Sequence, residues 1–308
     1  MRVSEIGSKV VDSVFAKSKL RLYVWLSLVS QILIVVTGGA VRLTASGLGC
    51  PEWPMCTEES LVTVPEMGIH GIIEFTNRTL TFVLVVIALL TFVTIVRLPK
   101  PQRAGMVWPA LTIGLGIFGQ AIIGGISVLT QLNPWVVGLH FVLSAALIAV
   151  ATILVWRFYR GSVGSSGSPA PVATVAAALA WPIAVTGLVA LLVGIVVTGA
   201  GPHAGDQKAP RNGLDLAVVE HVHSYPAYLL LILILIALVA QLRSKGITSR
   251  GTQTLLWLVL ASAAQAALGV AQARLGVPPL LVALHMLGAS IMAALLTYSV
   301  LVLRSKRV

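Results

Sequence analysis

The sequence predicts an all-α, polytopic membrane protein of eight transmembrane helices, arranged as two parallel-repeat four-helix bundles. Three observations carry that prediction. Hydrophobic residues make up 57% of the 308-residue chain and charged ones 10%, with a mean hydropathy of +0.96; so little polar surface cannot clothe a water-soluble domain. Apolar runs long enough to cross a hydrocarbon core of about 30 Å, at about 1.5 Å per residue, recur along the chain. Finally, a set of residues in the first half returns in the second at one constant offset.

The apolar runs start near Leu22, Ile72, Met106, Pro134, Val172, Val218, Thr254 and Pro279. Residues 1–20 precede them. Their charge and loose apolar spacing (Ile6, Val10, Val14) suit a cytoplasmic, interfacial helix better than a cleaved signal. Positive residues in short loops are retained on the cytoplasmic side. Here Lys9, Lys17, Lys19 and Arg21, then Arg97, Lys100 and Arg103, then Arg157 and Arg160, then Arg243, Lys245 and Arg250, and finally Arg304, Lys306 and Arg307 all fall in alternate gaps. That places the chain in the cell membrane with both termini cytoplasmic. The net charge of +11 follows from this sorting and from attraction to anionic membrane lipid, and no nucleic-acid partner is expected.

The repeat divides the chain. Gln120-Ala121, Gly124, Pro134, Val137, Leu139 and His140 recur as Gln265-Ala266, Gly269, Pro279, Val282, Leu284 and His285. Upstream, Val35-Val36-Thr37-Gly38 recurs as Val196-Val197-Thr198-Gly199, and Glu74-x-x-Asn77 as Glu220-x-x-His223. This gives an N-terminal half over 21–160, a Gly/Ser/Pro-rich cytoplasmic linker over 161–171, and a C-terminal half over 172–308. Four spans is an even number, so both halves enter the membrane from the same side.

Chemistry concentrates at a few polar positions inside apolar runs. Glu74 and Glu220 are the acidic residues that fall within spans, where a charge is expensive, so each is a functional candidate or an outer-interface carboxylate paired with Arg78 or Arg42. His140 and His285 each lie six residues beyond a proline, about 9 Å inside the outer helix end, and His223 lies about as deep. Two imidazoles at one depth on neighbouring helices can approach an iron from opposite faces of a flat porphyrin, which makes His223 and His285 a complete bis-histidine haem site. His221 competes with His223, but the Glu220–Glu74 register selects His223. In the first half the matching positions are Asn77 and His140. Asn77 is a poor iron ligand, so a haem there hangs on His140 with one face open beside Glu74. His70 shares a helix face with Glu74 and Asn77 and reads equally as a proton partner, a substitute ligand or an interfacial histidine. His203 reads as solvated. Arg42, Arg78, Arg211 and Arg274 are placed to pair with propionates or to anchor the interface. Cys50 and Cys56, the two cysteines of the chain, share an outer loop where a disulfide is expected, as a structural staple or as a redox pair; a zinc site is not expected there.

The run from Gly38 to Cys56, the run Ile73-Glu74-Phe75-Thr76-Asn77-Arg78, the duplicated halves and the paired histidines resemble haem A synthase. The resemblance covers nearly the whole chain. It implies an oxidoreductase that oxidises the C8 methyl group of haem O to a formyl group by successive hydroxylations, supplying haem A to terminal oxidases. It further implies a haem b cofactor on His223 and His285, substrate haem O near Glu74, His140, Asn77, Arg78 and His70, iron ligation by His140, and Glu74 as the catalytic group, relaying protons or stabilising a cationic intermediate. Haem O, a haem O synthase and an electron donor are the partners it implies, and association into a homo-oligomer is compatible with it. The family often carries histidine where this chain has Asn77. Two other classes stand beside this one: a bis-histidine b-type cytochrome for electron transfer, which would want two complete sites, and a repeat-built secondary transporter, which would more often break its helices at the midplane.

Overall fold

The computed structural model describes residues 12–162, 172–245, 247 and 249–305. Among these, eight helices are long and apolar enough to cross a membrane, and there is no strand. They are α1 (Leu20–Leu43), α2 (Gly68–Val96), α3 (Val107–Leu129), α4 (Pro134–Ser162), α5 (Thr174–Ala200), α6 (Leu216–Lys245), α7 (Arg250–Arg274) and α8 (Pro279–Leu303). The chain is a multi-pass membrane protein. Hydropathy sets two starts a turn late, at Ile72 and Thr254, because the first turns of α2 and α7 carry His70, Arg250 and Gln253.

Of the expected interfacial helix, residues 1–11 with Ile6, Lys9 and Val10 lie outside the described residues. So do 163–171 of the linker, and Lys306 and Arg307 at the other terminus. From Asp12 onward the segment is tied to the bundle. Arg97, following α2, pairs with Asp12 at 2.5 Å and sits 5.8 Å from the Phe15 ring centre, while Tyr23 donates to the Val14 carbonyl at 2.8 Å.

Within the first half, α1 packs on α2, α2 on α3, α3 on α4, and α4 returns to α1. The second half follows the same order: α5 on α6, α6 on α7, α7 on α8, and α8 back on α5. Each ring buries its own apolar cluster, around Val24, Ile95, Ile113, Ile148 and Leu154 in one and around Ile183, Ile234, Leu255, Leu258 and Leu303 in the other. The halves meet where α8 packs on α1 and α4, and α4 on α5. Trp156 of α4 meets Tyr298 of α8 edge-on, 5.6 Å between ring centres, at that seam.

Apolar contact alone does not distinguish helix from lipid, so polar ties matter inside a membrane. Ser27 and Thr91 share a hydroxyl–hydroxyl bond of 3.0 Å between α1 and α2. Gln241, fully buried in α6, accepts from the Ala173 amide at 2.8 Å and donates to Ser249 at 3.0 Å; Ser249 in turn caps α7. One side chain thus ties the end of α6 to the starts of α5 and α7. Large apolar residues such as Phe82, Trp108, Leu115 and Phe118 remain exposed on the outside, as a surface bathed in lipid requires.

Candidate functional site

In a closed ring of four, α6 and α8 occupy opposite corners, with α5 and α7 between them. His223 and His285 are therefore diagonal rather than on neighbouring helices, and they face each other across the ring. Their ring centres lie 6.4 Å apart with planes inclined at 75°. A metal–imidazole bond is about 2.0–2.1 Å, so two imidazoles bound trans to one metal hold their centres on the order of 6 Å apart. The pair matches that spacing. Nδ1 of both rings is buried without a hydrogen-bond partner. Buried orphan nitrogens are uncommon and point to an absent ligand. Room beside His223 depends on Gly194, where a Cβ would stand 3.0 Å from the ring. Among the described residues no three His, Cys, Asp or Glu side chains cluster as a bare metal site. A metal held by these two rings must bring its remaining ligands with it, as a porphyrin iron does. The residues present fit that group.

The first half differs in content. His140 projects from α4 toward α3, with its ring against Gly124, where a Cβ would stand 3.3 Å away; Gly269 faces His285 in the same way at 3.6 Å. The Gln120 amide, oriented to satisfy its neighbours, donates to His140 Nδ1 at 2.8 Å and to its carbonyl oxygen at 3.2 Å, and accepts from Ser144. That leaves the far nitrogen of the ring free for a ligand. Gln265 makes the matching bond to the His285 carbonyl at 3.1 Å. Asn77 is half-buried, and its Oδ1 is enclosed with no partner.

Above this half sits the loop that the cysteines close. Cys50 and Cys56 form a disulfide, and both are buried. Glu74, 5% exposed, accepts the Cys50 amide at 2.6 Å and pairs with Arg78 at 2.6 Å. Arg78 commits all of its N–H groups locally: Nε and Nη2 to Glu74, Nη1 to the Glu52 and Met55 carbonyls at 2.8 and 3.0 Å, and Nη2 also to the Cys50 carbonyl at 2.8 Å. No donor remains for a propionate. Trp53, at the tip of the loop, lies flat against Gly125 of α3, where a Cβ would collide with its ring. His70 is exposed and bonds Ser46 at 2.9 Å, so it serves the base of the loop and not the interior.

Other expected residues fall elsewhere. His203 is half-buried rather than solvated and bonds the Val277 carbonyl at 2.8 Å, tying the loop after α5 to the turn before α8. His221 is exposed and bonds the Ala217 carbonyl at 2.6 Å. Arg274 is exposed at the C-terminal end of α7, and Glu220 is half-buried. Trp53, Gln120 and Gly194 escaped the sequence reading as site residues. The recurrence of Gln120 as Gln265 was the available signal for one of them.

A family model described as cytochrome oxidase assembly protein matches residues 21–210. The chain belongs to this family. The matched stretch holds the cysteine loop, Glu74, Asn77, Arg78 and His140, and ends before His223. Similarity to individual members runs further. A heme A synthase of Rhizobium etli is 29% identical over 88% of this chain and 86% of its own length. One of Halalkalibacterium halodurans is 26% identical over 94% and 99%. A third, of Lysinibacillus sphaericus, is 29% identical over 53% of this chain, and there the chain spans about half of the relative's length, 52%.

Proposed function

We propose that this chain is a haem A synthase, oxidising the C8 methyl group of haem O to a formyl group by successive hydroxylations. The observation that carries the reading is the inequality of the halves: a facing imidazole pair at 6.4 Å in the second, and one imidazole opposite an unpartnered Asn77 amide in the first. A closed iron site suits electron transfer, and an open one suits reaction. Near-full-length similarity to heme A synthases supports the same reading. Both termini lie on the cytoplasmic side of the cell membrane in it, which puts the disulfide loop outside. Haem O, a haem O synthase and an electron donor are its partners.

His223 and His285 would hold haem b, which when bound supplies one-electron redox chemistry. Gly194 and Gly269 keep the space beside the two rings clear. In the first half His140 holds the substrate haem, and Gln120 fixes the direction of its ring. Glu74 and Arg78 anchor the disulfide loop, so Trp53 closes the outer end of the helix pair α2–α3 and limits entry of water. Glu74 is then a positioning residue first, and a proton relay only if its carboxylate also titrates during turnover.

Haem extraction tests the reading. Protein made with a haem O supply should yield haem b plus haem O or haem A, and protein made without it haem b alone. Haem b alone under both conditions makes the chain a b-type cytochrome, and no haem at all favours the transporter. Glu74→Gln separates the two roles of that carboxylate. Loss of a proton relay lowers haem A formation about a hundredfold or more and changes its pH profile; loss of loop anchoring lowers it by a similar factor at every pH. Unchanged haem A formation removes Glu74 from the mechanism.

A further inference from the structure

Arg42 and Arg211 are cationic groups that the preceding account leaves without a task. Arg42 stands at the outer end of α1, yet its neighbours belong to the second half. Its Nη2 donates to the Thr198 carbonyl of α5 at 2.6 Å, and its Cγ lies 3.7 Å from where a Cβ on Gly205 would stand. One turn inward, Gly39 admits Met286, the residue after His285, with Met286 Cε 2.9 Å from the position of an added Cβ. Arg42 thus sits about a turn outward of the level of the second half's histidine. Arg211 comes from the loop between α5 and α6 and donates to the Pro202 and Ala209 carbonyls at 2.6 and 2.7 Å.

Both guanidiniums meet the loop after α5, Arg42 against Gly205 and Arg211 on the Pro202 and Ala209 carbonyls. Neither has a carboxylate partner: the ion pairs among the described residues are Glu74–Arg78 and Asp12–Arg97. Arg42 Nε is moreover fully enclosed with no acceptor. Capping α5 explains its Nη2, since a cation is favoured at a helix C-terminus, but it leaves Nε unexplained. Arg78 shows what a guanidinium with a purely structural role looks like here, every N–H engaged by the loop. An enclosed guanidinium N–H without an acceptor is unfavourable unless an anion supplies one, and Arg211, exposed at the same loop, adds a second cation there.

We propose that Arg42 and Arg211 bind a porphyrin propionate carboxylate, that of the haem held between His223 and His285, so that the first half contributes a side chain to the second half's cofactor site. This rests on the haem reading above. A planar carboxylate suits paired guanidinium donors. In this arrangement the propionate edge of that haem would face the end of the bundle where Arg42 and Arg211 lie. The substrate haem carries the same carboxylates, so the experiment must separate the two sources.

The test is a cycle between side chain and ligand. Full-length protein is loaded with iron protoporphyrin IX or with its dimethyl ester, and haem loss to excess apomyoglobin is timed, for the wild type, Arg42→Gln and Arg211→Gln. The ester, or either substitution, should speed haem loss about tenfold or more. Combining ester and substitution should add little, because both remove the same contact. His285→Ala should abolish the retained haem, and His140→Ala should leave the ester effect intact. Equal loss rates for acid and ester in wild-type protein, or effects that multiply, overturn the proposal. If His285→Ala retains haem as wild type does, the haem reading itself fails, whatever the arginines do. An ester effect that vanishes in His140→Ala assigns the arginines to the substrate haem and overturns the stated assignment.

Discussion

The two halves share an order of helix packing and differ at the positions proposed to hold haem. In the second, His223 and His285 face each other, and Gly194 of α5 leaves the room that His223 needs. In the first, Asn77 replaces one histidine. The shared run Ile34-Val35-Val36-Thr37-Gly38 and Ile195-Val196-Val197-Thr198-Gly199 puts Leu33 where the other half has Gly194. The outer loops diverge as well. One is a disulfide-closed loop clamped by Glu74 and Arg78, the other a segment held by Arg211, Asn212 and His203. On the proposed reading, a duplicated scaffold carries a saturated site and an open one through a handful of side chains, leaving the helix rings alone.

The largest effect is expected from removing a ligand of the saturated site. His285→Ala should abolish the six-coordinate low-spin haem b spectrum and strongly lower the haem b content of purified protein, measured as the pyridine haemochrome, because it removes one of the two imidazoles proposed to hold that iron. His140→Ala should leave haem b unchanged and lower haem A formation by about a hundredfold or more, the order seen when a reacting group loses its support. If both substitutions deplete haem b equally, the halves are not specialised as described.

A second prediction converts the open half into the closed one. Asn77→His alone should change little, since a leucine at position 33 projects four carbons where Gly194 has none, and imidazole is larger than the carboxamide it replaces. Asn77→His combined with Leu33→Gly should add a second low-spin haem signal in electron paramagnetic resonance and suppress turnover, because the open coordination position is then filled. A second low-spin signal from Asn77→His alone would show that Leu33 does not guard the site.

Much of this was legible in the sequence, for identifiable reasons. Hydropathy reports spans directly, since lipid admits few polar residues, and a constant offset makes rare intramembrane histidines stand out. The diagonal placement of α6 and α8 was hidden, because sequence order fixes which helices are consecutive but not which corners of a ring they take. Arg78 is the instructive case. Its type and position suggest a propionate partner, yet besides Glu74 its acceptors are backbone carbonyls of Cys50, Glu52 and Met55, which carry no residue-type signature. Trp53 against Gly125 was equally silent. Contact between an indole and a bare backbone shows in the sequence only as a glycine, and glycines abound in packed membrane helices.

The smallest predicted effect concerns that contact. The position equivalent to Gly125 in the second half is Val270, which is 50% exposed and covered by no indole. Gly125→Val would give the first half the second half's residue, and its side chain would occupy the place of the Trp53 ring. Overfilling a packed site usually costs about 1–3 kcal/mol. Here the lower end is expected, because Trp53 is on a loop that can lift while Glu74, Arg78 and the disulfide keep its base in place. Haem b content should be unchanged, since no residue of the second half is touched. Haem A formation should fall several-fold, roughly what about 1 kcal/mol produces in a rate, and the tryptophan emission should shift to the red as the indole enters water. Trp53→Phe, compared in parallel, assigns that emission among the seven tryptophans of the chain. A red shift without loss of turnover would mean that the loop tip shields nothing the reaction needs, and the outer loops would then no longer belong among the differences that separate the two halves.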